Sequence, residues 1–311
     1  MQNIICVAGP TASGKTALAV ELAKLTDGEV VSCDSMQIYK RMDIGTAKPT
    51  AADMQGIPHH MIDAAEPDED FSVSRYCEMA APIVDDILAR GKTAIIAGGT
   101  GLYMDSLIKG NDFAPFPATG VRERLEEQAQ REGMEAMLAQ LAAIDPDSAA
   151  RLHLADRKRI IRALEVYYET GETITAHNLR TQTLPPRYQP LWLGLDFDPR
   201  SALYERIDLR VDIMLEQGLI REITELLASG IPEKCTAMQA IGYKEFVAAL
   251  NGEISVAEAA DQVRQSSRHY AKRQLTWFRR NPKMNWLVRQ KGQSADEILE
   301  KARQLLQETD N

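Results

Sequence analysis

Hydrophobic and polar positions alternate between two periods along this chain. Residues 3–8 carry an unbroken apolar run, Ile4-Ile5-Cys6-Val7-Ala8, which predicts a strand buried on both faces. Residues 15–25, beginning Lys15-Thr16-Ala17-Leu18-Ala19, have helix-forming composition and spacing. Glu29-Val30-Val31-Ser32-Cys33 predicts a second strand that closes at Asp34. Ser72 to Arg90 reads as a helix with Ser72 as its N-cap. Thr93-Ala94-Ile95-Ile96-Ala97 is another buried run, ending at Gly98-Gly99. Strands alternating with helices in this way predict an α/β fold built on a parallel sheet.

The pattern then changes. Phe113-Ala114-Pro115-Phe116-Pro117 and Leu184-Pro185-Pro186-Arg187-Tyr188-Gln189-Pro190 are two proline-bearing segments. Between them the helical period dominates, over Val121–Arg131, Met134–Ile144, Asp147–Leu152 and Asp156–Glu169. Leu191-Trp192-Leu193-Gly194-Leu195 returns to the strand pattern. This predicts an all-helical insertion domain over 118–188, between semi-rigid hinges, set into a core made of 1–117 and 189–311. The remainder is mostly helical. Ser255-x-x-Glu258 is a capping box opening a helix that Pro282 should stop, and Asn285–Val288 is a candidate last strand.

Composition bounds the chemistry. With 311 residues, 44% apolar and 26% charged, the chain is of ordinary globular type. Its four cysteines, Cys6, Cys33, Cys77 and Cys235, are widely spaced, so free thiols are expected and a zinc site is not. No leader pattern opens the sequence and no apolar run is long enough to span a bilayer, so a cytoplasmic protein without a membrane partner is expected. A net charge of −9 argues on its face against a nucleic-acid partner. Clustering changes that picture. From Arg264 to Lys291 there is no acidic residue, while nine lysines and arginines fall in the same window. This predicts a local positive surface.

Between the first strand and the first helix lies Gly9-Pro10-Thr11-Ala12-Ser13-Gly14-Lys15-Thr16, which fits G-x-x-x-x-G-K-[ST]. Backbone N–H groups of such a loop turn around phosphate oxygens, and the helix N-terminus adds positive potential. Lys15 supplies a point charge, and the Thr16 hydroxyl can hold Mg²⁺. The fold class is thereby narrowed to a P-loop-type parallel sheet flanked by helices. Hydrolysis of a nucleoside triphosphate is not supported. The strand at 93–97 ends in glycines instead of a metal-binding carboxylate, and Asp53-x-x-Gly56 follows no apolar strand. Asp34, at the end of strand two, faces the same edge of the sheet and suits a metal ligand or general base.

In this order GPTASGKT, DSMQIY (34–39), GTAKP (45–49), PHHMID (58–63) and GGTGLY (98–103) resemble the bacterial tRNA dimethylallyltransferases. LHLADRKRIIRALEVY (152–167), QAIGYKEF (239–246) and AKRQLTWFRR (271–280) extend the resemblance over nearly the whole chain. It implies transfer of a dimethylallyl group from dimethylallyl diphosphate to N6 of the adenosine 3′-adjacent to the anticodon of tRNA. The loop then grips an isoprenoid diphosphate with Mg²⁺, and Asp34 takes the N6 proton. Ser35, Met36 and Gln37 would line the base pocket. The resemblance also nominates Thr100 and Arg122 as catalytic residues, with Arg124 the alternative to Arg122.

For the tRNA anticodon stem-loop, two basic groups stand out. Arg264, Arg268 and Lys272 recur at every fourth position and share a helix face, with Arg273 beside them. Lys158, Arg159 and Arg162, with Arg157 and the intervening Ile160 and Ile161, form the second group, in the insertion. Gln239, Gly242, Tyr243 and Lys244 are further candidate contacts. Trp277, Phe278, Tyr243 and Tyr270 could stack on bases or pack in the core. A monomer is expected. Two alternatives remain: a P-loop small-molecule kinase, and a non-catalytic RNA-binding protein that senses a nucleotide. The first needs no long acid-free basic stretch; the second needs no Asp34 at a strand end.

Overall fold

The computed structural model describes residues 3–110, 119–182 and 185–309. The chain forms two compact units, one of residues 1–110 with 187–311 and one of residues 111–186. The first unit begins with β1 (Ile4–Ala8), α1 (Lys15–Thr26), β2 (Gly28–Ser32), α2 (Ala51–Met54), β3 (His59–His60), α3 (Val73–Ala89), β4 (Thr93–Gly98) and α4 (Gly101–Lys109). The second unit holds α5 (Val121–Ile144), α6 (Pro146–Ala149), α7 (Arg157–Thr170) and α8 (Ile174–Gln182). The first unit resumes with β5 (Leu191–Asp198), α9 (Arg200–Glu216), α10 (Leu219–Ala228), α11 (Tyr243–Leu250), α12 (Val256–Phe278), β6 (Met284–Gln290) and α13 (Ala295–Thr309).

The six strands form one sheet in the order β3-β2-β4-β1-β5-β6, and every pairing is parallel. Successive residues of a strand face opposite sides. Cys6, Ala8, Val31, Ala94 and Ile96 therefore pack towards α3 and α4 in the larger core. Ile5, Val7, Val30 and Ile95 pack towards α1 and α13 in a second one. Because both faces are covered, these strands read as continuous apolar runs. Register brings Ala8 level with Gly98, and Ala97 level with Ser32, so the carboxyl ends of β1, β4 and β2 lie side by side.

Several boundaries follow local chemistry. The Ser72 hydroxyl accepts from Arg75 N, and Ser255 with Glu258 forms the reciprocal capping box of α12. Asp53 is the N3 residue of a capping box with Thr50, which explains its D-x-x-G spacing without a nucleotide. In the second unit, α5 carries a kink at Gly133, between the two predicted helices. The helix expected over Asp147–Leu152 is corrected to the single turn of α6, begun by Pro146 with Asp145 as its cap. Some elements escaped the sequence reading. β3 is a two-residue edge strand, too short for an alternation signal; α2 is a single turn, α4 follows directly on the Gly98-Gly99-Thr100-Gly101 turn, and α8 lies in a polar stretch. The first proline hinge, 113–117, lies outside the described residues, as does Leu184 of the second.

Candidate active site

Three strand ends build the site. The phosphate loop follows β1, Cys33 and Asp34 follow β2, and Gly99-Thr100 follows β4. The last two pack backbone to backbone: Thr100 N donates to Cys33 O at 3.2 Å. A Cβ at Gly98 would overlap the Cys33 carbonyl, so only glycine permits this approach. The Thr100 hydroxyl accepts from Ser35 N at 3.0 Å and lies 3.3 Å from Ser35 Oγ. It is also hydrogen-bonded to the Tyr270 side chain. Thr100 is thus placed to hold the Asp34–Ser35 turn.

Asp34 Oδ1 accepts from Met36 N at 2.9 Å and from Gln37 N at 3.4 Å. Oδ2 makes no hydrogen bond among the described residues, which leaves an acceptor oxygen for a substrate proton. Gln37 is fixed by its loop, with Nε2 donating to Thr46 O at 3.3 Å and Ala47 O at 3.2 Å.

The phosphate loop is held from outside its own motif. Gln274 of α12 is buried; its Oε1 accepts from Thr11 N and its Nε2 donates to Gly99 O, both at 2.9 Å. From α9, Arg206 Nε donates to Ala12 O at 2.9 Å, and Arg210 reaches the Thr11 hydroxyl at 3.2 Å. Lys15 folds back onto Pro10 O at 2.7 Å. Desolvation lowers the Lys15 pKa from 10.5 to about 8; the charge of Asp34 opposes that shift and Arg210 adds to it. Burial also lowers the Arg210 pKa, again opposed by Asp34. Three cations thus surround a loop whose Ser13 hydroxyl is buried without a hydrogen-bond partner. This is a cradle for a polyanion.

A cavity of about 540 Å³ opens here, lined by the loop, Asp34, Gln37, Arg206, Arg210 and Gln274. A second, of about 380 Å³, is lined by Ser35, Met36, Gln239, Ile241, Lys244 and Arg273. Thr11, Asp34, Thr46, Arg210 and Tyr270 border both. Asp34 therefore stands where a charged chamber meets a more mixed one. For a divalent metal, the described residues contain no cluster of three or more His, Cys, Asp or Glu side chains. What they offer is the Thr16 hydroxyl and the Asp34 carboxylate on the wall of the charged chamber, hard oxygen donors of the kind a divalent cation takes.

The basic groups differ from the expectation. Arg264 pairs with Asp212 and Asp261, and Arg268 pairs with Asp208 at 2.7 Å. The predicted shared face exists, but for these two it turns towards carboxylates of α9, so this part of the acid-free window is paired from another helix. Lys272 and Arg273 are exposed, with Arg273 over the Tyr270 ring. Tyr243 is a core residue and Gly242 is buried, so these two are corrected from surface contacts to packing, and Phe278 takes the core role that its position also allowed. Trp277 is held by Asp105 at 2.9 Å. Gln239 and Lys244 remain exposed.

Within the second unit, Ile160 and Ile161 are fully buried, so their side chains are corrected from RNA contacts to core. Arg122 and Arg162 share Glu165, at 3.2 and 2.8 Å. Arg124 bonds the Thr119 carbonyl. Arg122, Arg151, Lys158, Arg159 and Arg162 line a hollow of about 470 Å³ on this unit. Lys158 and Arg159 are exposed.

Sequence reasoning missed Gln274, Arg206 and Arg210. The available signal was helical spacing: Arg206 and Arg210 are four apart, as are Tyr270 and Gln274, so each pair shares a face.

Comparison with known proteins gives a consistent result. The IPP transferase family model matches residues 37–281. A curated relative from Acetivibrio thermocellus, named tRNA dimethylallyltransferase, is 45% identical over 300 residues, covering 96% of each chain. The solved tRNA isopentenylpyrophosphate transferase of Bacillus halodurans has 39% identity and a TM-score of 0.73, and covers 100% of this chain and 99% of its own. A eukaryotic dimethylallyltransferase, described as acting on tRNA, has 29% identity and a TM-score of 0.79 over 93% of this chain and 74% of its own.

Proposed function

The chain belongs to the IPP transferase family, and on that premise we propose that it transfers a dimethylallyl group from dimethylallyl diphosphate to N6 of the adenosine 3′-adjacent to the anticodon in tRNA. The observation that carries this reading is Asp34 on the wall shared by the two cavities, one rimmed by the phosphate loop and its three cations. A diphosphate in the charged chamber would present its allylic carbon beside a carboxylate. An adenine in the other would present its amine to the same group.

The chemistry follows from those groups. The N6 lone pair is delocalised into the ring, so the amine is a weak nucleophile. As N6 attacks the allylic carbon, the carbon–oxygen bond breaks and its electron pair leaves on the diphosphate. The N6 proton passes to the Asp34 carboxylate. Negative charge grows on the leaving oxygens, where the loop N–H groups, Lys15, Arg206 and Arg210 can stabilise it. Thr16 would hold Mg²⁺ against the same oxygens, and the metal supplies further charge neutralisation when bound. The Thr100 hydroxyl holds the turn that aims Asp34. Gln37 lines the charged chamber beside Asp34, so it would meet the edge of an adenine that reaches across to Asp34, and Met36 in the second chamber would supply an adaptable apolar wall.

An anticodon-loop base must leave its stack to reach Asp34, at a cost of a few kcal/mol. Lys158 and Arg159 on one unit, and Lys272 and Arg273 on the other, are the exposed cations suited to offset that cost through phosphates. The kinase alternative is disfavoured by relatives named for prenyl transfer, and the nucleotide-sensing alternative by the acceptor oxygen of Asp34. No helix among the described residues is long and apolar enough to cross a membrane.

The test is a transfer assay with labelled dimethylallyl diphosphate, unmodified tRNA and Mg²⁺. Wild type should label the tRNA, and Asp34→Asn should lower the rate by about 10²- to 10⁴-fold. Absence of label with every tRNA, combined with ATP consumption on a small molecule, would favour the kinase.

A further inference from the structure

Glu222 lies on α10, outside both cavity linings. Its carboxylate nonetheless collects four donors. Oε2 accepts from Asp43 N and Ile44 N, both at 2.8 Å. Oε1 accepts from Gly45 N at 3.2 Å and from the Tyr243 hydroxyl at 2.7 Å. Three successive backbone N–H groups converging on one side chain make an anion nest, here filled by the protein's own carboxylate. Gly45 permits the arrangement, because a Cβ there would overlap the Tyr243 ring. Tyr243 itself is fully buried.

The clamped segment runs directly into Thr46 and Ala47. Their carbonyls are the two acceptors of Gln37 Nε2. Both amide hydrogens of Gln37 are thereby spent on the loop, and its oxygen, which also accepts from Ser32 Oγ at 3.3 Å, is the polar atom left with a spare lone pair. An amide locked this way offers an acceptor and no donor. Adenine presents an N6 amine on that edge, whereas guanine presents an O6 acceptor.

We propose that Glu222 is a positioning residue that sets the adenine preference of the site: by fixing residues 43–45 it holds the Thr46 and Ala47 carbonyls, which orient Gln37 to accept from an exocyclic amine. This rests on the reading of Gln37 as a base-facing residue in tRNA prenylation. A half-buried carboxylate satisfied by four donors could instead serve folding alone. The two roles differ in what they disturb. A folding role weakens donor and acceptor use together and adds to the effect of any Gln37 change. The positioning role acts on the acceptor side only and vanishes when Gln37 is gone.

The experiment uses the full chain with two anticodon stem-loops, one with adenosine and one with guanosine at the modified position. KM and kcat are measured for the adenosine stem-loop, Ki for the guanosine one as competitor, and KM for dimethylallyl diphosphate. Glu222→Ala should narrow the ratio of guanosine Ki to adenosine KM by about tenfold or more, with donor KM unchanged. Gln37→Ala should narrow it similarly, and the double variant should add little to either. Glu222→Gln, nearly isosteric, keeps one acceptor oxygen and should give a smaller change in the same direction. It carries the test if the alanine variant does not fold. An unchanged ratio in folded Glu222 variants, or additivity with Gln37→Ala, overturns the proposal while leaving the transferase reading intact. Failure of wild type to prenylate the adenosine stem-loop or any tRNA overturns that reading instead.

Discussion

The Gln274 side chain receives the Thr11 backbone N–H at 2.9 Å, across 263 residues of sequence. Its amide nitrogen simultaneously reaches Gly99 O. One buried side chain from α12 thus ties the loop after β1 to the turn after β4. Phosphate loops owe their shape to their own backbone, but this one is also braced by a helix that carries the exposed cations Lys272 and Arg273.

Gln274→Ala should therefore strand two backbone groups, each worth about 1–3 kcal/mol when buried without a partner. The expected outcome is a lower Tm and a raised KM for dimethylallyl diphosphate. Gln274→Glu keeps the acceptor for Thr11 but cannot donate to Gly99 and brings a buried negative charge into the anion cradle, so it should raise the donor KM at least as far as alanine does. Calorimetry and donor-dependent initial rates check this. Equal donor KM in all three proteins would remove Gln274 from the site.

Lys15 makes donor capture sensitive to alkaline pH. Its pKa is lowered to about 8, so its charge is lost as pH rises through that value, well below the usual lysine range. Donor kcat/KM should fall between about pH 7 and pH 9, the limb reporting the free enzyme. A bound diphosphate favours the charged amine, so kcat at saturating donor should fall later. Lys15→Arg, which stays charged, should abolish the limb even where it lowers the rate.

The cations of α12 should separate into two kinds. Neutralising Lys272, or Lys158 and Arg159 on the other unit, should weaken tRNA binding and reduce the salt slope by about 0.7–0.9 per lost phosphate contact. Arg264→Ala or Arg268→Ala removes a pair to Asp212 or Asp208 and should instead lower Tm slightly, with a near-normal salt slope. Filter binding across a salt series, beside thermal melts, distinguishes them.

Gly98→Ala should be poorly tolerated. The added methyl meets the Cys33 carbonyl, which belongs to the backbone and cannot swing aside. Overpacking of this kind costs about 1–3 kcal/mol, and occasionally more. Urea unfolding would measure the loss, and near-wild-type stability would show that β2 and β4 can separate at their ends.

Much of this was legible beforehand. The apolar runs at 4–8, 93–97 and 191–195 all lie in strands, because a strand covered on both faces is apolar on both. Caps at Ser72 and Ser255 were readable because a cap is a contact three residues long. The phosphate loop and Asp34 were readable because parallel strands deliver their carboxyl ends to one edge.

By itself, then, the sequence determined the α/β class, the loop, the carboxylate at the end of strand two and the capped helix starts at Ser72 and Ser255, all of which follow from interactions within a few residues. Tertiary structure alone decided which charges were spent. Arg264 and Arg268 look like a free basic stripe until α9 brings Asp212 and Asp208 across 52 and 60 residues. Tyr243 looks like a base-stacking surface until Glu222 and Gly45 enclose it. Gln274, Arg206, Arg210 and Glu222 gain their roles from partners distant in sequence. Periodicity records which residues share a face of one helix, but not what that face meets, and for a charged or amide side chain the partner decides whether it is structural or available to a ligand.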